Sequence, residues 1–182
     1  SVSSYGAKAA NVAEMRKFLP AAMVPNGHAI PYYFYDEFMR HNGLYGKAES
    51  ILPGPEFAKD QGRQEAELAR LRELIREGTF PEPLMAALTA LQESFPKDAS
   101  IRCRSSTNNE DLPGFSGAGL YDSVTHQPAE GPLARSIKEV FASTWNFRAF
   151  EERDFYRIDH MTAAMGVAVI PNFDDEKANG VA

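Results

Sequence analysis

Cysteine is nearly absent from this chain. Cys103 is the single one in 182 residues. One thiol cannot close an internal disulfide, and a Cys-rich zinc site is excluded. Long hydrophobic runs are missing too. The longest apolar stretches, such as Met165 to Ile170, are strand-sized and far short of the roughly 20 residues that span a bilayer. The N-terminus, Ser1 to Gly6, lacks the basic start and apolar centre of a secretory signal. Excess positive charge is also lacking. The net charge is −6, from 19 Lys and Arg against 25 Asp and Glu, which argues against a general nucleic-acid binder. These absences predict a cytoplasmic chain with no membrane and no nucleic-acid partner. What is present is an apolar fraction of 43%, enough to bury a core.

Periodicity predicts mixed α and β structure of the α+β class. Residues 7–19, 32–41, 56–77, 81–94 and 132–148 read as helices, with 148–157 as a possible continuation of the last. Leu68, Leu71, Leu74 and Ile75 form the apolar stripe of the third helix, with Gly78 at its C-terminal cap position. Residues 28–30, 99–105 and 165–171 read as strands. Within 99–105, Ile101, Cys103 and Ser105 point one way, Arg102 and Arg104 the other. Val24 to Gly27 has turn chemistry, with Asn26-Gly27 favouring positive φ. Two Pro-Gly signals make 44–55 a loop, and 108–121 is a loop rich in glycine. Tyr32 to Tyr35 is assigned to packing rather than to base stacking. The chain starts without Met and stops where an apolar strand begins, which predicts an incomplete domain.

The stretch from Ile101 to Ser123 carries the most chemistry. A strand delivers arginines to a turn of hydroxyls, amides and two carboxylates, and a glycine-rich loop follows. The arginine fork suits phosphate oxygens, and glycines let backbone N–H groups approach them closely. A surface strand end followed by an unrelated loop is the competing reading. A second stretch, Gly6 to Asn11, sets glycine before a helix with Lys8 in its first turn, where a phosphate could meet the helix N-terminus. It is not a Walker A loop.

In this order, Gly6-x-Lys8-x-x-Asn11, then Val24-Pro-x-Gly27, then Arg104-Ser-Ser-x-x-x-Glu110-Asp111-Leu-Pro, the chain resembles the N-terminal ATP-binding domain of the phosphoenolpyruvate synthase and pyruvate phosphate dikinase family. The run Gly117-Ala-Gly119-Leu-Tyr-Asp-Ser123 is also similar to the glucan, water dikinases. The resemblance implies a truncated, ATP-grasp-like lobe over 1–182, with a helical insertion at about 53–97, belonging to a larger multidomain phosphotransferase. It implies ATP and Mg2+ as cofactors, the metal ligands lying outside this chain. Arg104 is the implied catalytic residue. Lys8 and Arg104 would contact the phosphates, and Ser105, Ser106 and Thr107 would donate hydrogen bonds. Gly117 and Gly119 would belong to a loop covering the phosphates. Glu110 and Asp111 match the family's acidic pair, and 167–171 would lie near the adenine, with Ile170 where the family often has glutamine. Phosphate would pass to a histidine of a separate domain and then to pyruvate. The implied partners are therefore downstream phosphohistidine and acceptor-binding domains, and the isolated chain would be inactive. A glucan or antibiotic acceptor, or a non-catalytic nucleotide-binding module, are the alternatives.

Overall fold

The computed structural model describes residues 2–20, 23–24, 26–52, 54, 57–109, 117 and 119–173. The helices are α1 (Val2–Tyr5), α2 (Ala7–Phe18), α3 (Tyr32–His41), α4 (Leu44–Ile51), α5 (Gln61–Glu77), α6 (Glu82–Glu93), α7 (Ala134–Ala142) and α8 (Phe147–Phe155). The strands are β1 (His28–Ile30), β2 (Ile101–Thr107), β3 (Val124–His126) and β4 (Met165–Pro171). They form one antiparallel sheet in the order β1-β4-β2-β3. The class is α+β, as the sequence predicts.

Register assigns the two faces of the sheet. Paired residues project to the same side, so Ile101, Cys103, Ser105 and Thr107 share a face with Ile30, Val124, Met165, Val167 and Val169. This face is buried against the helices. Tyr35, Phe38 and Met39 of α3, Leu68, Leu71 and Ile75 of α5, and Ile137, Val140 and Phe141 of α7 join it in one core. Tyr35 and Phe141 meet edge to face at 5.2 Å, so the aromatic run after Pro31 serves packing. The opposite face carries Arg102, Arg104, Ser106, Ala29, Gly166, Ala168 and Ile170, and α1 and α2 lie over part of it. Strand β4 is covered on both sides, which explains its unbroken apolar run.

Three expectations need correction. Residues 44–55 are not a loop throughout, because α4 occupies Leu44–Ile51. Gly43, at φ +65°, ends α3 and lets the chain restart, and Leu44 and Ala48, one turn apart, are buried. The helix predicted over 132–148 is two helices, with a 3-10 turn at Ser143–Trp145 between them. Strand β3 was not predicted at all; three residues pair only because β2 offers an edge. Other signals hold for a different reason. Gly78 does cap α5, but at φ −57°; a Cβ there would lie 2.6 Å from the Phe38 ring. Asp60, whose side chain accepts from Arg63 N at 3.1 Å, begins α5.

Candidate functional site

Helix α2 is seated on the sheet through Gly6. This residue has φ 81° and ψ 166°, a region that essentially only glycine occupies. A Cβ would collide with Ser106 Oγ and come within 2.5 Å of the Ser106 carbonyl oxygen. Ser106 Oγ accepts from Ala9 N at 3.3 Å, which satisfies one of the orphan N–H groups of the helix's first turn. Gly166 completes the junction, since a Cβ on it would lie 2.7 Å from Tyr5 O and 3.1 Å from Ser106 O. Two segments 97 positions apart are thus joined backbone to backbone.

The junction brings the two predicted cations to one side of the sheet. Lys8 lies in the first turn of α2, half-buried. Arg104 is exposed, and its side chain forms no hydrogen bond or ion pair with the described residues. Its neighbour Arg102 is committed elsewhere, donating to Thr125 Oγ1 at 2.8 Å. Between α2 and this face lies a cavity of about 440 Å³. Ala9, Val12, Ala13 and Arg16 form its helical wall, and Ala29, Ala168 and Ile170 its floor. Ala168 stands directly across from Arg104 in the strand pairing. Lys8 precedes Ala9 in the chain and lies one helical turn before Val12. Each cation is thus next to a residue of the cavity wall or floor, and neither is itself part of the lining. At its rim, Arg16 Nη1 donates to Asn26 Oδ1 at 2.5 Å. Gly27 presses on β4, where a Cβ would lie 2.6 Å from Ile170 Cγ2; close approach, rather than positive φ, is what calls for glycine there.

The three hydroxyl residues that follow Arg104 are divided. Ser106 shares the face of Arg104, whereas Ser105 and Thr107 project into the core. The hydroxyls of Ser105 and Thr107 are buried and have no hydrogen-bond partner among the described residues. The Ser105 backbone N donates to Ser123 Oγ at 3.4 Å. Gly117 is buried, Gly119 is exposed with φ +75°, and Leu120 N donates to Gly117 O at 3.3 Å. Glu110, Asp111 and Gly114 lie outside the described residues. Cys103 is fully buried, and burial pushes its thiol up to about 12.

The histidines do other work. His126 is buried and pairs through Nδ1 with Ser136 Oγ at 2.9 Å. His160 stacks on Phe150 at 4.1 Å, and burial, with the Arg153 charge, lowers it to about 4. His28 meets Phe95 edge-on at 5.8 Å. Among the described residues no group of three or more His, Cys, Asp or Glu could hold a metal ion, and no helix is long and apolar enough to cross a membrane. The cavity's helical wall escaped the sequence reading. Its only signal was the run of small residues in α2 and β4, Ala9, Ala13, Gly166 and Ala168.

The family described as pyruvate phosphate dikinase, AMP/ATP-binding domain, matches residues 2–182. A phosphoenolpyruvate synthase of Aquifex aeolicus is 33% identical over 173 residues, covering 90% of this chain and 20% of that protein. One from Neisseria meningitidis serogroup B is 32% identical over 179 residues, covering 92% and 22%. A rifampicin phosphotransferase of a Streptomyces species is 28% identical over 171 residues, covering 92% and 19%. The chain spans about a fifth of the length of these relatives. A match that runs from residue 2 to residue 182 shows that this chain belongs to the pyruvate phosphate dikinase AMP/ATP-binding domain family.

Proposed function

We propose that this chain is the ATP-binding part of a larger, cytoplasmic dikinase that resembles phosphoenolpyruvate synthase. In this reading it is an ATP-grasp-like lobe. ATP would give its β-phosphoryl group to a histidine of a separate domain, AMP would leave, the γ-phosphoryl group would go to water as inorganic phosphate, and the histidine's phosphoryl group would pass on to pyruvate. The observation that carries the proposal is the Gly6–Ser106 contact, which seats the helix of Lys8 on the strand of Arg104.

The cavity volume of about 440 Å³ falls within the range of small-ligand sites, about 300–1,000 Å³. Its apolar floor at Ala168 and Ile170 suits the flat face of a base. Phosphoryl transfer asks mainly for positioning and charge neutralisation. The Arg104 fork and the Lys8 ammonium would supply both at the phosphates, and the Gly117 and Gly119 backbones would approach the same oxygens. Ser106 holds α2 in place for this. Ser105 and Thr107 would act from the core side by fixing the strand end. Magnesium, when bound, would neutralise charge on the phosphates. Its ligands are expected outside this chain; among the described residues no group of three or more His, Cys, Asp or Glu could hold a metal ion.

A second reading changes only the acceptor. The similarity to a rifampicin phosphotransferase favours it, since an acceptor chosen by other domains can be an alcohol or a glucan as readily as pyruvate. One experiment tests the shared step. In the protein that carries this chain with its following domains, Arg104→Ala should reduce phosphohistidine formation from β-labelled ATP by roughly a hundredfold or more, with an unchanged circular dichroism spectrum. Lys8→Ala should weaken ATP binding roughly tenfold or more. Wild-type labelling in the Arg104 variant would refute the assignment.

A further inference from the structure

The residues that follow the glycines are held by several side chains at once. Leu120 and Tyr121 are buried. Asn146 Nδ2 donates to Leu120 O at 3.3 Å and to Asp122 Oδ2 at 3.1 Å, while Asn146 Oδ1 accepts from Arg72 Nη1 at 3.0 Å. Ser123 Oγ accepts from the backbone N of Ser105, the residue next to Arg104. Arg153, on α8, donates from Nη1 to Tyr121 OH at 3.3 Å, from Nη2 to Thr144 O at 2.8 Å and from Nε to His160 Nδ1 at 3.3 Å. Its guanidinium carbon lies 5.9 Å from the centre of the Trp145 ring.

Arg153 is unusual for its surroundings. It is completely buried, yet its hydrogen-bond partners among the described residues are a hydroxyl, a carbonyl and an imidazole, with no carboxylate. A buried charge without a counter-ion is among the least favourable arrangements in a core, and an apolar side chain of similar volume would pack there more stably. What a guanidinium adds is direction: five donors in a rigid plane fix three separate segments relative to one another. One of the three is the segment that leads out of the glycines.

We infer, resting on the phosphate-site reading above, that Arg153 and Asn146 are positioning residues for the nucleotide. They clamp Leu120, Tyr121 and Asp122 onto α8, and Ser123 ties the same segment to β2 beside Arg104. The backbone at Gly119 and Leu120 is therefore held, through this segment, relative to the part of β2 that carries Arg104. Backbone N–H groups and guanidinium can then meet one polyphosphate without first being ordered, which is the advantage of preorganisation. Neither Arg153 nor Asn146 touches the ligand in this scheme.

Tyr121→Phe tests the inference, because it removes only the hydroxyl that Arg153 grips and keeps the buried ring. In the protein carrying this chain, magnesium–ATP is titrated well below the melting midpoint of every variant, and that midpoint is measured separately. The expected result is affinity weakened about three- to tenfold, the range of one lost hydrogen bond. Asn146→Ala should behave alike. Arg153→Lys combined with Tyr121→Phe should add no further loss of affinity beyond Arg153→Lys alone. A purely structural clamp would lower the melting midpoint and leave affinity untouched; that outcome overturns the inference. Arg104→Ala run in parallel separates the two ideas. If it loses ATP while Tyr121→Phe binds normally, the positioning role falls and the phosphate site stands. If Arg104→Ala binds ATP like the wild type, the phosphate-site reading falls, and this inference with it.

Discussion

Gly6→Ala probes the junction on which the site is built, and its effect can be worked out from the backbone. At φ 81° and ψ 166°, a residue with a Cβ is strained by about 1–3 kcal/mol. The new methyl would also meet the Ser106 carbonyl oxygen at 2.5 Å and the carbonyl carbon at 2.7 Å. These are main-chain atoms of a central strand and cannot rotate aside, so α2 must lift. Lifting breaks the Ala9 to Ser106 hydrogen bond, worth about 0.5–1.5 kcal/mol. The expected destabilisation is about 2–4 kcal/mol, a large part of the roughly 5–15 kcal/mol available to a domain. Urea unfolding should show a lower midpoint at an unchanged slope. Gly46→Ala is the matched control. Gly46 lies inside α4 with open space around its Cα, so alanine should stabilise by about 0.5–1 kcal/mol. If Gly6→Ala unfolds at the wild-type urea concentration, the close approach of α2 to β2 is wrong.

Two further outcomes follow from buried titrating groups. His160 is held near 4 from an ordinary 6.5, chiefly by burial and then by Arg153. The unfolded chain therefore takes up this proton at a higher pH than the folded one. The stabilising contribution is complete above about pH 6.5, declines as pH falls toward 4, and changes no further below that. His160→Gln should flatten that part of the stability-versus-pH curve; an identical slope in wild type and variant would contradict the shift. Cys103, pushed up to about 12 by burial, should react with an aromatic disulfide reagent only as fast as the protein unfolds. Rapid labelling of the native protein at neutral pH would show that β2 is not covered as described.

Much of this molecule was legible from local pattern. The alternation of Ile101 to Ser105 assigned the faces of β2, and the apolar run 165–171 announced a strand. The stripe of Leu68, Leu71 and Ile75 marked the buried side of α5. Each of these follows from how side chains repeat along a helix or strand, a property of neighbours in the chain. The motifs around Lys8 and Arg104 were enough to suggest the family and to nominate the two cations.

Tertiary structure decided what local pattern could not. That Ser106 seats α2 while Ser105 and Thr107 turn into the core depends on which face α2 covers. Gly6 is required because a strand distant in the chain, at Ser106, leaves no room for a Cβ. Strand β3 exists only as the partner of an edge, and α4 only because Leu44 and Ala48 find the core. The buried Arg153 carried no mark in the sequence, since a charged residue near the end of a helix is normally solvated. All of these are contacts between distant segments, and a one-dimensional pattern holds no information about which distant backbone will arrive or how closely.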